Sequence, residues 1–242
     1  MNPLNQLGRN VLWMIFSRFG AQGLSVIFTV LLARRLGSAG FGAYAFIAAI
    51  LFVTNALTTF GTDMLLIREI AAKDDLSGLP AAFVIQLVLS FFVIALVWML
   101  AGNIPNQSAE TIDALKVYSL ALIPLAFFTV FTSALRGKQL MGSYAWFNLI
   151  VSGLQVLAVV MLREKNLVTL SYFLVLVQIL AALIAGCICA FTIPHFRHSW
   201  RLSSVLLSAP AFSSFLRAAA PIAFLAFTLN DITGVGTPPP QK

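Results

Sequence analysis

The chain has 242 residues, of which 60% are hydrophobic and only 10% are charged, and its mean hydropathy is +0.95. Soluble domains are about half apolar and about one quarter charged, so this composition excludes a soluble globular domain and indicates a membrane protein. The formal net charge of +7 would also suit nucleic acid, but most Lys and Arg residues stand at the ends of apolar runs, where they act as topology signals. We therefore expect membrane lipids around the chain and no nucleic-acid partner.

Six apolar runs follow one another, each near the roughly 20 residues that cross a hydrocarbon core of about 30 Å. Because such runs recur, a cleaved signal peptide does not explain the first one. Backbone groups in lipid must be satisfied internally, and no alternating barrel pattern is present, so each run predicts a helix. The predicted fold class is an all-α, polytopic membrane helix bundle with spans at 11–32, 43–66, 81–101, 117–135, 144–162 and 167–193, the fourth being kinked at Pro124.

After the sixth span the pattern changes. Residues 1–196 are expected to form the six-helix transmembrane domain, and residues 197–217 a basic segment at the cytoplasmic membrane surface, with Trp200 and Arg201 at headgroup depth. Residues 218–229 resemble the start of a seventh helix that is too short to cross a bilayer. The polar tail, 230–242, is predicted to be disordered, and we expect the chain to be truncated.

The distribution of Lys and Arg predicts that the N-terminus lies in the cytoplasm. With that orientation, seven basic residues flank the spans on the inside and five on the outside. The inside set is Arg9, Arg68, Lys73, Arg136, Lys138, Arg197 and Arg201, and the outside set is Arg34, Arg35, Lys116, Arg163 and Lys165.

The first predicted span carries a polar face that includes a full positive charge. Arg18, Gln22, Ser25 and Thr29 are spaced by four, three and four residues, which places them on one side of a helix. One interpretation is that Arg18, about 10 Å from the start of the span, extends its side chain back to the headgroups. The other three residues continue deeper across the membrane, however, and a water-filled cavity between helices accounts for the whole face.

Two further spans carry similar polar faces. The second has Asn55, Thr58, Thr59 and Thr62, and the fifth has Asn148, Ser152 and Gln155. For any one of these residues the alternative is a hydrogen bond between helices, worth about 1 kcal/mol. Three such faces together favour a shared cavity, so we expect them to bind substrate. Gln86 with Ser90, and Ser171 with Gln178, fit the same scheme.

The chain shows no signature of an enzyme, a metal site or a cofactor. Asp63, near the inner end of the second span, is a candidate for proton or cation coupling, although a carboxylate paired with a nearby base at the interface is the simpler interpretation. His195 and His198 have no acidic ligand nearby. Cys187 and Cys189 point to different sides of a helix and are expected to be packing residues.

Four sequence segments together indicate a family resemblance, because their order and spacing are more specific than any one segment. RNVLWMIFSRFGAQGLSVIFTVLLARRLGSAGFGAYAF contains an LGxxGFGxY turn after the arginine-bearing helix, and GTDMLLIREIA follows the second span. SALRGKQLMGSYAWFNLIVSGLQVLAVVML links spans four and five, and FLRAAAPIAFLAF would begin a seventh. From about Gly8 to about Phe227 the chain thereby resembles the bacterial polysaccharide biosynthesis proteins, the oligosaccharide flippases of the multidrug/oligosaccharidyl-lipid/polysaccharide exporter superfamily.

The resemblance implies two six-helix lobes around a central cavity that opens alternately to the two sides of the bacterial cytoplasmic membrane, of which this chain contains the N-terminal lobe. It also implies a substrate, an oligosaccharide on undecaprenyl diphosphate. Related flippases of peptidoglycan precursors have a cavity arginine at the position of Arg18, and a guanidinium suits phosphate oxygens. Arg18 is therefore the leading candidate for substrate binding.

Two other functions remain open. An exporter of small cationic drugs from the same superfamily is disfavoured by an unpaired arginine and the lack of a deep acidic residue. A membrane component that does not transport, but associates with a second lobe, with another partner or with itself, would use small-residue faces for close helix contacts, such as Ala181, Ala182, Ala185 and Gly186.

Overall fold

The computed structural model describes residues 3–59, 61–74, 76, 78–105, 107–162 and 166–193, with side chains from residue 11 onward. These residues form seven helices and no strand, which confirms the all-α class. The helices are α1 (Pro3–Thr59), α2 (Thr62–Lys73), α3 (Leu79–Ala101), α4 (Ala109–Ser119), α5 (Leu122–Gly137), α6 (Met141–Met161) and α7 (Leu167–Thr192). Outside the described residues lie the predicted segments 197–217, 218–229 and 230–242, and also Arg163, Lys165, His195, Arg197, His198, Trp200 and Arg201.

Helix α1 consists of two arms that join at Gly37. Its 57 residues would extend for about 86 Å if straight, far more than a bilayer core needs. The rings of Phe28 and Tyr44 instead lie 5.9 Å apart, whereas the same stretch of straight helix spans about 24 Å. The chain therefore folds back at Gly37, whose φ of 71° and ψ of −178° are essentially restricted to glycine. We call residues 3–36 the first arm and residues 38–59 the second arm.

The folding back of α1 bears on the number of membrane crossings. Among the described residues, five stretches are long and apolar enough to cross a membrane, and the first of them, Val11–Thr59, has 49 residues. Because this stretch folds back on itself, it supplies both the first and the second predicted spans. The predicted spans 81–101, 144–162 and 167–193 correspond to α3, α6 and α7.

The second predicted span, 43–66, is interrupted in the structure before its predicted end. The second arm ends at Thr59, Gly61 has a left-handed backbone with φ 73°, and α2 begins at Thr62. Glycine adopts this conformation without a steric penalty. The apolar pattern continues through the interruption, which is why hydropathy alone placed the end of the span too late.

The fourth predicted span is divided into α4 and α5, which together occupy residues 109–137 and meet at a turn formed by Leu120 and Ala121. Pro124 has no N–H to donate to the Leu120 carbonyl, and its ring crowds that carbonyl, so a regular helix cannot continue through this point. The regular helix is thus interrupted just before Pro124, where the sequence predicts a kink.

Side chains of α3 bond to the two interrupted helices. The contacts are Gln86 Nε2 to Thr62 Oγ1, Ser90 Oγ to the Leu122 carbonyl at 3.3 Å and Trp98 Nε1 to Ser119 Oγ at 3.1 Å. Helix α3 is itself continuous from Leu79 to Ala101. It therefore supplies hydrogen bonds where its neighbours depart from regular helix geometry.

Two apolar clusters stabilise opposite ends of the bundle. The cluster near Gly37 includes Leu32, Ile47, Val93, Val97, Leu122 and Leu170, and the cluster near α2 includes Leu66, Ile70, Leu79, Ala82, Val130 and Leu135. Along α3, the buried side chains of Gln86 and Ser90 lie between the residues of the two clusters. Polar side chains of α3 thus separate the two clusters, while α6 and α7 contribute a smaller apolar cluster of Phe147, Val151, Ala181 and Ala185.

Replacing Gly37 by alanine tests the reversal of α1. A Cβ at this backbone conformation is strained, so we expect Gly37→Ala to lower the free energy of unfolding by about 1–3 kcal/mol, measured by thermal unfolding in detergent. Gly42→Ala is the matched control, because its Cβ would meet no atom within 4 Å and alanine favours helix over glycine by about 1 kcal/mol. Equal losses in the two variants would contradict the role of Gly37.

Candidate functional site

The polar face of the first arm is open in the structure. Arg18, Gln22, Ser25 and Thr29 are all exposed, and Arg18 forms no ion pair or hydrogen bond with any described residue. The Thr29 hydroxyl donates to the Ser25 carbonyl at 2.8 Å, a bond within the same helix. The structure therefore leaves the guanidinium and the Gln22 amide available to a ligand, to water or to another part of a larger assembly.

A different face of the first arm packs against α6, and the two helices run in parallel. Ser17 is 2% exposed and accepts a hydrogen bond from Asn148 Nδ2 at 3.2 Å. One turn further, a Cβ on Gly20 would lie 2.5 Å from Leu149 Cδ2, so a larger residue would require the Leu149 side chain to move. At the far end, Arg35 donates to the Leu162 carbonyl at 2.8 Å. Arg18 is rotated by about 100° from Ser17, which places it beside this interface rather than in it.

The predicted polar face of α6 is only partly available for binding. Asn148, Ser152 and Gln155 are all half-buried. The Asn148 amide is used in the bond to Ser17, and the Ser152 hydroxyl donates to the Asn148 carbonyl at 2.9 Å. For Asn148 the structure thus shows the interhelical hydrogen bond that was the alternative to a cavity role. Gln155 has no hydrogen bond to a described residue.

The polar residues of the second arm mostly bond to their own helix. The hydroxyls of Thr58 and Thr59 donate to the Asn55 carbonyl at 2.9 and 3.1 Å, and Thr58 is 3% exposed. Asn55 is half-buried. Thr62 no longer continues this face, because the helix is interrupted at Gly61 and Thr62 belongs to α2.

The fold brings three of the predicted residues to a comparable depth. Phe28 and Tyr44 contact each other across the two arms. Measured along each helix from that contact, Arg18 lies about 15 Å away in the first arm and Asn55 about 16 Å away in the second. Asn148 lies at the same level, since its amide bonds to Ser17. One arginine and two asparagines on three neighbouring helical segments therefore share a level of the bundle.

Asp63 lies outside this group. It occupies the first turn of α2 and is half-buried, with no ion pair to a described residue, and the neighbouring Glu69 pairs with Lys73 at 3.6 Å. A coupling role for Asp63 stays a prediction.

Sequence reasoning missed an aromatic cluster at the start of the first arm. The rings of Trp13, Phe16 and Trp146 lie 6.1 to 6.4 Å from one another, and Phe16 and Trp146 are about half exposed. Tryptophan concentrates at membrane interfaces, so we expect this cluster near the boundary of the apolar core. Arg18 lies about 7 Å deeper than Trp13 along the helix.

Comparisons with known proteins agree with this architecture. The family described as "Polysaccharide biosynthesis protein" matches residues 7–234, and no curated protein matches the chain. The solved structure of a MOP superfamily transporter from Pyrococcus furiosus Vc1 has the same fold, with a TM-score of 0.65 and 15% sequence identity. The similarity covers 91% of this chain and 52% of that one, so this chain spans about half the length of that transporter.

A double-mutant cycle tests the polar contact beside the candidate site. We expect Ser17→Ala and Asn148→Ala to show a coupling energy of about 0.6 kcal/mol, and at most about 1.7 kcal/mol, typical of hydrogen bonds between membrane helices. Unfolding of the purified protein in mixed micelles gives the four stabilities. Ser17→Ala with Ser152→Ala is the control pair, because the Ser152 hydroxyl bonds only to its own helix. Coupling of the same size in the control would exclude a direct Ser17–Asn148 bond.

Proposed function

This chain belongs to the polysaccharide biosynthesis protein family, and we propose that it is one lobe of a transporter that moves lipid-linked oligosaccharides across the bacterial cytoplasmic membrane. The proposed substrate is an oligosaccharide attached to undecaprenyl diphosphate, and the proposed orientation places the N-terminus in the cytoplasm. Two properties of the lobe support this proposal: its several apolar helices of membrane-crossing length and the open polar face of its first arm.

The observation that carries the proposal is the exposed, unpaired guanidinium of Arg18. It is the only charged side chain between residues 11 and 32, and no described carboxylate pairs with it. A guanidinium presents several donors in a planar fork that matches phosphate oxygens, and the attraction is stronger where water is scarce. An anionic headgroup is therefore the ligand that this position favours.

The neutral polar residues near Arg18 suit the rest of such a substrate. Gln22 and Ser25 continue along the exposed face of the first arm, and Gln155 offers a half-buried amide on α6. Amides and hydroxyls both donate and accept hydrogen bonds, as sugar hydroxyls do, without the desolvation cost of a second charge. We propose that Arg18 holds the diphosphate while these side chains contact the first sugars.

The alternatives receive less support. A site with one arginine and no described carboxylate beside it repels cationic drugs. Association through the small residues of α7 was one alternative, but Ala181 and Ala185 are fully buried in a cluster with Phe147 and Val151. That face already packs inside the lobe. A second lobe as partner remains part of the proposal, because this chain spans 52% of the similar transporter.

Binding of defined lipids to the purified protein in nanodiscs tests the proposal. We expect Arg18→Gln to weaken binding of the undecaprenyl diphosphate oligosaccharide by about 10- to 100-fold, because charge-assisted hydrogen bonds contribute about 1.5–3 kcal/mol. Arg18→Lys should retain part of the affinity, since it keeps the charge but loses the fork. Native mass spectrometry or a fluorescence titration gives the dissociation constants.

The control variant is Arg34→Gln, which removes an exposed arginine near the other end of the same arm and should leave affinity unchanged. The control ligand is the same oligosaccharide on undecaprenol, whose binding should be weak and insensitive to Arg18. Equal binding of the two lipids, or an equal loss from Arg18→Gln and Arg34→Gln, would refute the assignment of Arg18 to the diphosphate.

A further inference from the structure

A buried glutamine beside the interruption between α1 and α2 has an unsatisfied oxygen. Gln86 is 1% exposed, its Nε2 donates to Thr62 Oγ1, and its Oε1 has no hydrogen-bond partner among the described residues. Turning the amide over does not remove the problem, because the amide nitrogen would then lose its acceptor. One end of this amide requires a partner that the described residues do not supply.

The surroundings of Gln86 contain further polar groups that depart from regular helix pairing. The α1 helix ends at Thr59, whose carbonyl accepts from the Thr62 hydroxyl at 2.6 Å. Gly61 is the N-cap of α2 and provides no side-chain bond to the first turn. The first N–H groups of α2 have no partner within their own helix and lie beside the Gln86 amide, which bonds to Thr62. The last carbonyls of α1 already accept from threonine hydroxyls.

We propose that a water molecule is bound at this interruption, donating a hydrogen bond to Gln86 Oε1. Buried waters make two to four hydrogen bonds to otherwise unsatisfied polar groups, and ordered waters are one of the ways in which interrupted membrane helices satisfy their backbone. Along α3, Gln86 lies between the residues of the two apolar clusters. This inference does not depend on the proposed transport function.

Water suits the site better than an ion does. The carbonyl end of α1 and the N–H end of α2 have opposite partial charges, so the interruption has no strong net field. A water molecule both donates and accepts, so it can accept from a first-turn N–H of α2 while it donates to Gln86 Oε1. Asp63 lies on the first turn of α2 and would add negative charge nearby, so sodium is the competing occupant that the experiment must distinguish.

Hydroxyl-radical footprinting of the protein in nanodiscs tests the site, because radicals generated from bound water label adjacent side chains that bulk water does not reach. Leu66 is 1% exposed and lies one turn after Thr62. We expect Leu66 to be labelled in the wild type and the labelling to fall several-fold in Gln86→Met, which keeps the chain length but removes the oxygen. Gln86→Glu keeps an oxygen and should retain the label.

Gln178→Met is the matched control, because Gln178 Oε1 is also buried without a described partner but lies on α7, and this variant should leave Leu66 labelling unchanged. An unlabelled Leu66 in the wild type, or undiminished labelling in Gln86→Met, would overturn the proposal. So would a thermal stabilisation by sodium chloride, absent with choline chloride and lost in Gln86→Met, because a cation would then occupy the site. Wild-type labelling decides occupancy even if Gln86→Met does not fold.

Discussion

The structure depends on finding partners for backbone polar groups where its helices are interrupted. Lipid cannot bond to a free N–H or carbonyl, so each interruption must be satisfied by other protein groups or by water held within the protein. The lobe has interruptions at Gly61 and at Leu120, and both face α3, a continuous helix of 23 residues. Gln86 and Ser90 of α3 bond to the two sites. These two side chains of α3 thus help to hold the interrupted helices at the middle of the bundle.

Helix packing determines which polar residues remain available to a ligand. The first arm and α6 approach closely because Ser17 and Gly20 are small, and close backbone approach through small residues is the usual way in which membrane helices associate. Since successive residues of a helix point about 100° apart, the arm that packs through Ser17 presents Arg18 to a different side. One face of the helix thereby packs against α6 while the adjacent face stays exposed.

Hydropathy and polar periodicity predicted the fold class, most span boundaries and an irregular helix near Pro124, because these features follow from the local sequence. They did not predict the interruption at Gly61, since the apolar pattern continues through it and only the backbone conformation reveals it. Periodicity also could not distinguish the roles of Asn148 and Gln22. Both lie on polar faces, but Asn148 meets Ser17 while Gln22 is exposed. The small residues Ser17 and Gly20 were the available signal for that interface.

The exposure of Arg18 has a consequence for the environment of the first arm. A charged side chain facing acyl chains costs about 3 kcal/mol or more, and the packing of this lobe does not cover the face that bears Arg18, Gln22 and Ser25. Extension of the arginine to the headgroups, about 7 Å away at the level of Trp13, would relieve the cost at Arg18 alone. The deeper glutamine and serine would still face lipid. Water on that side would satisfy all three side chains, so the polar face is least costly where it does not meet acyl chains.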